Sequence, residues 1–398
     1  MRPNFICMVA SLLGNAVFAT RLYAASYAGF VTSLSLTKTN GSYELSTLSK
    51  ATDCGSSPSW LMVDSENSIL YCLDEGITTP NGSVTTFKTN QNGTLTAIQR
   101  LKTLSGPVMS AMYSAPQVST RQFLAVAHYS ASAVTTYSVD PTQGIFNHSQ
   151  TFVYEMTGPG PVPSRQDAPH PHGVIVDPTG RFVLVPDLGA DLVRIFEVNQ
   201  LTGHLEQVEP LVVTQGSGPR HGVFWTPKAA KNAKSTPTDV YFYLIQELSN
   251  SLSGFRVTYS EDGISFAKVF EGSTYGNEAS PTGSKAAEIS ISPENNHVVV
   301  SNRLDSTFGP NSDSFAVFSC ADSSGKFFKD VSFLGFHRAY GSSPRHFNIN
   351  GDLDMVAVAL EKSQKVAVTR WNKHTGGPGI LLAEKQIDGD IPAVVWDL

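Results

Sequence analysis

Apolar positions along the chain come in short runs of four to seven, and no stretch repeats with the 3.6-residue period of a helix. One unit recurs instead. It has a Pro-containing start, a short apolar run, a turn rich in Pro, Asp, Asn or Gly, and a second apolar run. It reads PSWLMV-DSENS-ILYCLDE from Pro58 and PVMSAMY then QFLAVAH from Pro107. Later copies are HPHGVIV-DPTGR-FVLVPD from His170 and PRHGVFW then VYFYLIQE from Pro219. The last two are AEISIS-PENN-HVVVSNR from Ala287 and PRHFNIN-GDLD-MVAVALE from Pro344. Each second run is followed by further strand-like segments such as SVTTFKT, LVRIFEV, SLSGFRV and VAVTRWN. Unit starts lie roughly 50 to 65 residues apart, the spacing of radially repeated four-stranded sheets.

Six internal units leave a fragment at each end. Pro392-AVVWDL supplies the first strand of a seventh unit, and YAGFVTSLSLTK and YELSTL near the N-terminus supply strands that it lacks. Pairing them closes the ring and removes the open edges that an unclosed sheet would present. The expected fold is therefore all-β, a seven-bladed β-propeller in one domain spanning residues 25–398, expected to act as a monomer. The segment Lys228–Thr238 (KAAKNAKSTPT) reads as a solvated loop inserted in one blade.

The first 24 residues fit a different role. Arg2 precedes an apolar stretch from Phe5 to Phe18, with small residues at Ala19 and at Ala24-Ala25. This pattern predicts a secretory signal peptide cleaved after Ala19 or Ala24, and no membrane span; a first core strand or a membrane anchor is the competing reading. Acceptor sequons at Asn40, Asn81, Asn92 and Asn147 lie in turn-like sequence and agree with export to the medium, cell surface or cell wall. Cys54 and Cys72 flank one strand pair and can bridge in an oxidising compartment, leaving Cys320 as an inert buried thiol. The formal net charge of −6 and the absence of a basic run argue against nucleic-acid binding.

The candidate chemistry follows from the blade pattern. First strands are innermost and second strands run back beside them, so first-strand starts and second-strand ends share one face near the axis. The starts carry His170, His172, Arg220, His221, Glu288, Arg345 and His346, and the ends carry Glu75, His128, Asp187, Glu247, Arg303 and Glu361. Five of the ten histidines fall in this small set, which marks the channel mouth as the candidate site. Plainer roles stand beside the chemical ones. Asp187, Glu75 and Glu361 can cap loop amides. The repeated Pro-Arg-His at 219–221 and 344–346 can be a structural signature whose arginines pair with carboxylates across blades. His128 can be a packed, hydrogen-bonded ring. His170 and His172, on alternate residues, could share a metal, but no third ligand at fixed spacing supports one. No metal or cofactor is expected.

Read as a site, Arg220, Arg303 and Arg345 would bind carboxylates, a neutral His172 would serve as base or relay, and Glu247 at the end of an apolar strand would have a raised pKa and act as an acid. His170, His221, Glu288, Arg345 and His346 would complete the binding surface. No G-x-S-x-G elbow is present, which disfavours an acyl-enzyme.

The segments HPHGVIVDPTGRFVLVPDLGADLVRIFEV, GSGPRHGVFW, VSNR and SPRHFNINGDLDMVAVAL resemble the seven-bladed lactonase family, which includes 6-phosphogluconolactonase and fungal carboxy-cis,cis-muconate cyclase. The likeness covers nearly the whole mature chain and looks more like the cyclase branch. It implies a catalytic quartet of His172 in HPHG, Arg220 in GPRH, Glu247 in LIQELS and Arg303 in SNR. That branch implies lactonisation of a small unsaturated polycarboxylate; the other implies hydrolysis of a lactone. Secreted relatives known as surface antigens imply a third role, binding a host or matrix protein.

Overall fold

The structure, a computed structural model, describes residues 19–115, 117–228 and 239–397. These form seven antiparallel four-stranded sheets. Most of the Lys228–Thr238 insertion and most of the expected leader lie outside the described residues. Among the described residues no helix is long and apolar enough to cross a membrane.

Burial explains the pattern in the sequence. Second strands such as Phe182–Asp187, Val240–Gln246 and Met355–Leu360 are buried along their whole length, because each is covered on both faces by neighbouring blades. They therefore read as unbroken apolar runs rather than alternating ones. Outer strands such as Leu95–Thr103 and Leu205–Val212 are largely exposed and carry the charges. Alternate residues of one strand feed different interfaces. In Ala19–Ser26, Leu22 and Ala24 pack towards the seventh blade, beside Met355 and Val366. Tyr23 and Ala25 pack towards the second, beside Leu70 and Cys72.

That strand closes the ring. The first blade has the order Ala393–Asp397, Ala19–Ser26, Phe30–Thr39, Ser42–Ala51, so the C-terminal strand is innermost and pairs with the first described segment. Pairing runs from Arg21 opposite Asp397 to Ala25 opposite Ala393. An Arg21–Asp397 ion pair at 3.1 Å and a 2.8 Å hydrogen bond from the Tyr23 hydroxyl to Asp397 tie the two ends. The closing blade is thus as expected except in one strand. Ala19–Ser26 overlaps the segment assigned to the leader, so Ala19–Ala24 belongs to the first blade, ahead of the expected start at 25. Cleavage after Ala24 would remove most of this strand, whereas cleavage after Ala19 leaves it almost whole.

Cys54 and Cys72 are joined in a disulfide that links the loop leaving the first blade to the second strand of the second. Cys320 is buried and free, and burial pushes its thiol up to about 12. Asn40, Asn81, Asn92 and Asn147 are all exposed. Asn147 lies within the outer strand Ile145–Val153 rather than in a turn.

A chain starting at Ala25 loses Leu22, Tyr23 and Ala24, which are fully buried. Burying a Leu- or Tyr-sized side chain contributes about 1.5–3 kcal/mol, and the exposed edge adds unpaired backbone groups. A chain starting at Ala19 is expected to unfold cooperatively on heating, and one starting at Ala25 is expected to give no folded product. Thermal denaturation of the two expressed chains checks this.

Candidate active site

The mouth of the channel is built by one backbone device repeated around the ring. The start of each inner strand pairs with the end of the second: Pro58 with Asp74, Pro107 with His128, Pro171 with Asp187, Pro219 with Gln246, Ala286 with Asn302 and Pro344 with Leu360. In four blades the next residue is an unpaired bulge (Ser59, Val108, Arg220, Arg345) before pairing resumes. A bulge re-aims side chains at a strand end. Here it turns both Arg220 and His221, and both Arg345 and His346, towards the mouth. Gly218 sets the entry to one of them: its φ is +64°, and a Cβ there would lie 2.4 Å from Leu248. In the fourth blade only Ile175–Val176 pairs as a regular inner strand; the preceding His170–Gly173 stays beside the second strand through an isolated Pro171–Asp187 bridge, with the His172 amide donating to the Pro186 carbonyl at 2.8 Å.

The register separates the strand-end residues into two sets. Asp74, His128, Asp187, Gln246 and Asn302 point into their own blades, where they bind Ser83, Thr135, Arg194, Ser251 and Ser314 respectively. One residue later the side chain takes the opposite face, which gives Glu75, Tyr129, Leu188, Glu247 and Arg303, and Glu361 after Leu360 in the seventh blade. His128 and Asp187 therefore do not belong to the mouth. Asp187 accepts from the His170 and Ala190 amides, a capping role. His128 is sealed in, and burial lowers it to about 4.

Glu247 organises the cationic side of the site. Its Oε1 lies 2.7 Å from Arg165 Nη1, and its Oε2 lies 3.0 Å from Arg220 Nε and 2.9 Å from Arg303 Nη2. Burial works to raise this carboxyl, but Arg303, Arg165 and Arg220 together hold it well below the usual range. The expectation of a raised pKa and an acid role for Glu247 is thus corrected: the apolar strand before it supplies desolvation, and three guanidiniums outweigh it. Burial and the neighbouring Arg303 bring Arg220 down to about 9, so it stays charged at neutral pH. Three guanidiniums on one carboxylate leave a surplus of two positive charges. The Arg220 side chain is only 2 % exposed, whereas those of Arg165, Arg303 and Arg345 are 26 %, 10 % and 17 % exposed. The latter three are therefore the arginines that present surface to the mouth.

Across the mouth Arg345 lies 3.3 Å from Glu361 and 3.9 Å from Glu75, and Tyr27 donates a 2.7 Å hydrogen bond to Glu75. Glu75 and Glu361 hold this arginine rather than capping amides. Both Pro-Arg-His arginines pair first with the glutamate that follows the second strand of their own blade, Arg220 with Glu247 and Arg345 with Glu361.

Between the two arginine groups lies a chain of imidazoles. His172 Nδ1 and His221 Nε2 are 3.2 Å apart, and His221 Nδ1 lies 3.0 Å from Glu288 Oε1. His346 Nε2 is 3.9 Å from the other Glu288 oxygen, and Trp60 packs edge-on against His221 and His346. Burial lowers His172 well below the usual value, with Arg220 adding to the shift, and lowers His221 to about 4 despite Glu288. Burial opposes ionisation of Glu288, yet His221 and its hydrogen bond hold it at about 2. Glu288 and His346 also line a cavity of about 450 Å³ between the inner strands of the sixth and seventh blades.

His170 plays a supporting part. Its ring stacks on Tyr129 at 4.1 Å, and its nitrogens face the Tyr129 carbonyl at 2.9 Å and Asp167 at 3.0 Å. It does not converge with His172, so the alternate histidines form no metal pair. Tyr129 in turn receives a 3.3 Å hydrogen bond from Arg165. Arg165, Tyr129, Tyr27 and Trp60 were absent from the sequence-derived set. Arg165 sits in the Pro-rich loop before HPHG, outside any strand pattern. Tyr129 would have emerged from the corrected register.

A closed seven-bladed ring with buried arginines, ionised carboxylates and neutral histidines at one end of its channel defines a propeller whose chemistry is gathered on the axis. The chain belongs to the family described as lactonase, 7-bladed β-propeller, whose profile matches residues 21–395. A protein of Arthroderma benhamiae named "probable 6-phosphogluconolactonase" is 31% identical over 378 residues, 94% of this chain and 88% of that one. The 6-phosphogluconolactonase of Formosa agariphila is 26% identical over 336 residues, 83% of this chain and 86% of that one. Among solved structures, the periplasmic gluconolactonase of Pseudomonas aeruginosa superposes with a TM-score of 0.74 at 21% identity, covering 95% of this chain and 99% of that one. These relatives carry lactonase names, not the cyclase name that the sequence resemblance favoured.

Glu247→Gln leaves three guanidiniums without their shared counter-charge, at an expected cost of about 3–5 kcal/mol, read by urea denaturation. The histidines set the acid limit. Folding lowers His128 and His221 from 6.5 to about 4, so between those values the unfolded chain binds the extra protons. Their contribution is fully present above pH 6.5 and is lost as pH falls towards 4. Thermal midpoints across that range should drop, and less steeply in His128→Gln.

Proposed function

We propose that the protein hydrolyses a small lactone bearing an anionic group, the reaction of a 6-phosphogluconolactonase-type enzyme. The observation that carries this reading is a buried imidazole, His172, kept neutral beside a surplus of guanidinium charge. A neutral imidazole can take a proton from water, and the freed hydroxide attacks the lactone carbonyl. Arg303 and Arg345 border the same mouth and can stabilise the oxyanion of the tetrahedral intermediate. When the ring C–O bond breaks, the leaving oxygen takes the proton back from His172, giving the hydroxy acid. The surplus charge around Glu247 would hold the substrate's anionic group.

Lactonisation of a polycarboxylate finds less support. The arginines suit its carboxylates, but the reaction needs an acid to protonate carbon. Glu247 is held ionised and His172 is held unprotonated. No particular observation favours a non-catalytic adhesin. We further place the activity outside the cell: four exposed acceptor asparagines and a disulfide fit an oxidising, secretory route.

Acid release from 6-phosphogluconolactone, an unphosphorylated aldonolactone and a carboxymuconate control tests the reading. Hydrolysis of a lactone above its spontaneous rate is expected, and His172→Ala should lower kcat by about 10²–10⁴-fold with little change in KM. Turnover of carboxymuconate alone, or wild-type rates in His172→Ala, would overturn it.

A further inference from the structure

The proton positions in the imidazole chain follow from a single charge. Glu288 is ionised, so its Oε1 can only accept, and His221 must donate from Nδ1 across the 3.0 Å contact. A neutral His221 then has its lone pair on Nε2, where Arg220 Nη1 lies 3.4 Å away and His172 Nδ1 3.2 Å away. Two lone pairs facing each other across 3.2 Å would repel, so His172 carries its proton on Nδ1 and donates across that contact. Its Nε2 is left as the basic nitrogen, and among the described residues no hydrogen bond engages that atom. Glu288 is itself anchored: its Oε1 also accepts from the Ile289 amide, and its own amide donates to Ser301.

We propose that Glu288, acting through His221, is a positioning residue that fixes the tautomer of His172 and stabilises the imidazolium formed when its Nε2 takes a proton. This rests on the reading of His172 as the base of lactone hydrolysis. His221 is enclosed, with a side chain 3 % exposed, so the link runs through protein and not through solvent. The charged and titratable groups facing His172 are Arg220 and His221 from the fifth blade, Arg345 from the seventh and Tyr129 from the third. The cationic members of that set oppose protonation of His172. The Glu288 carboxylate, relayed by His221, is the feature that opposes them. Without it, uptake of the water's proton would occur against unrelieved positive charge.

The test compares wild type with Glu288→Gln, which preserves shape and removes charge, and Glu288→Asp, which preserves charge. For Glu288→Gln, kcat should fall about tenfold to a hundredfold with KM within about twofold. The acid limb of kcat/KM should move to lower pH by about half a unit or more, because His172 loses the charge that favours its protonated form. Glu288→Asp should restore the position of that limb. A purely packing role would leave the limb in place. Nitrogen-15 shifts of the His172 ring, assigned by their loss in His172→Gln, provide a readout independent of activity. Wild type should show the Nδ1-protonated tautomer. An Nε2-protonated ring, or an unmoved acid limb and unchanged kcat in Glu288→Gln, overturns the proposal. If no lactone is turned over, the hydrolase reading fails, and the ring shifts still decide whether Glu288 sets the tautomer.

Discussion

Seven twisted sheets enclose an axis only if the last one finds a partner for its open edge, and every side chain at the mouth depends on that being met. In this chain the partner is Ala19–Ser26, held between the C-terminal strand and Phe30–Thr39. Because it feeds apolar side chains to blades on both sides, closure is hydrophobic as much as hydrogen-bonded. The inner strands then stand at fixed distances from one another. Groups from the fourth, fifth, sixth and seventh blades can then meet to within 3–4 Å.

That rigidity makes the burial of so much charge tolerable. An isolated guanidinium or carboxylate in the interior would be strongly destabilising unless paired and hydrogen-bonded. Glu247 with its three arginines, and Arg345 between Glu75 and Glu361, are pairings that preorganised strand ends can supply without reorganisation. The histidines between them gain no such pairing as cations, except through Glu288. They stay neutral, and a neutral imidazole beside a positive surface is the chemically useful result.

Much of this was legible in the chain before any coordinates. The recurring Pro start and paired apolar runs gave the blades, and the strand-end positions gathered His172, Arg220, Glu247, Glu288, Arg303 and Arg345 on one face. Three failures have physical causes. Ala19–Ala24 fell within the expected leader because a strand buried on both faces and the end of an apolar export signal have the same composition, although the alternative cleavage after Ala19 leaves the strand almost whole. His128 and Asp187 entered the strand-end set through a slip of one residue, which in a strand reverses the direction of the side chain, and the plainer roles open to them, a packed ring and an amide cap, are the ones they fill. The acidity of Glu247 was misjudged because an apolar strand announces desolvation locally, while the arginines that overcome it come from the fifth and sixth blades and from the loop containing Arg165. Arg165 itself lies in a Pro-rich loop, where no periodicity predicts a direction.

The bulge at the inner-strand starts gives the ring a modular rim. Four blades offer the same pair of adjacent slots, filled by Ser59 and Trp60, Val108 and Met109, Arg220 and His221, and Arg345 and His346. The second residue of each pair lies opposite a buried residue of the second strand, Leu73, Ala127, Ile245 or Ala359, and Trp60 and Arg220 reach groups of other blades, so the occupants are packed against one another as well as facing the mouth. The rim thus behaves as a short alphabet written around a circle. Because Trp60 leans on His221 and His346, and His221 on Glu288, a letter changed in one blade is felt in others, and a new word calls for matched changes around the circle.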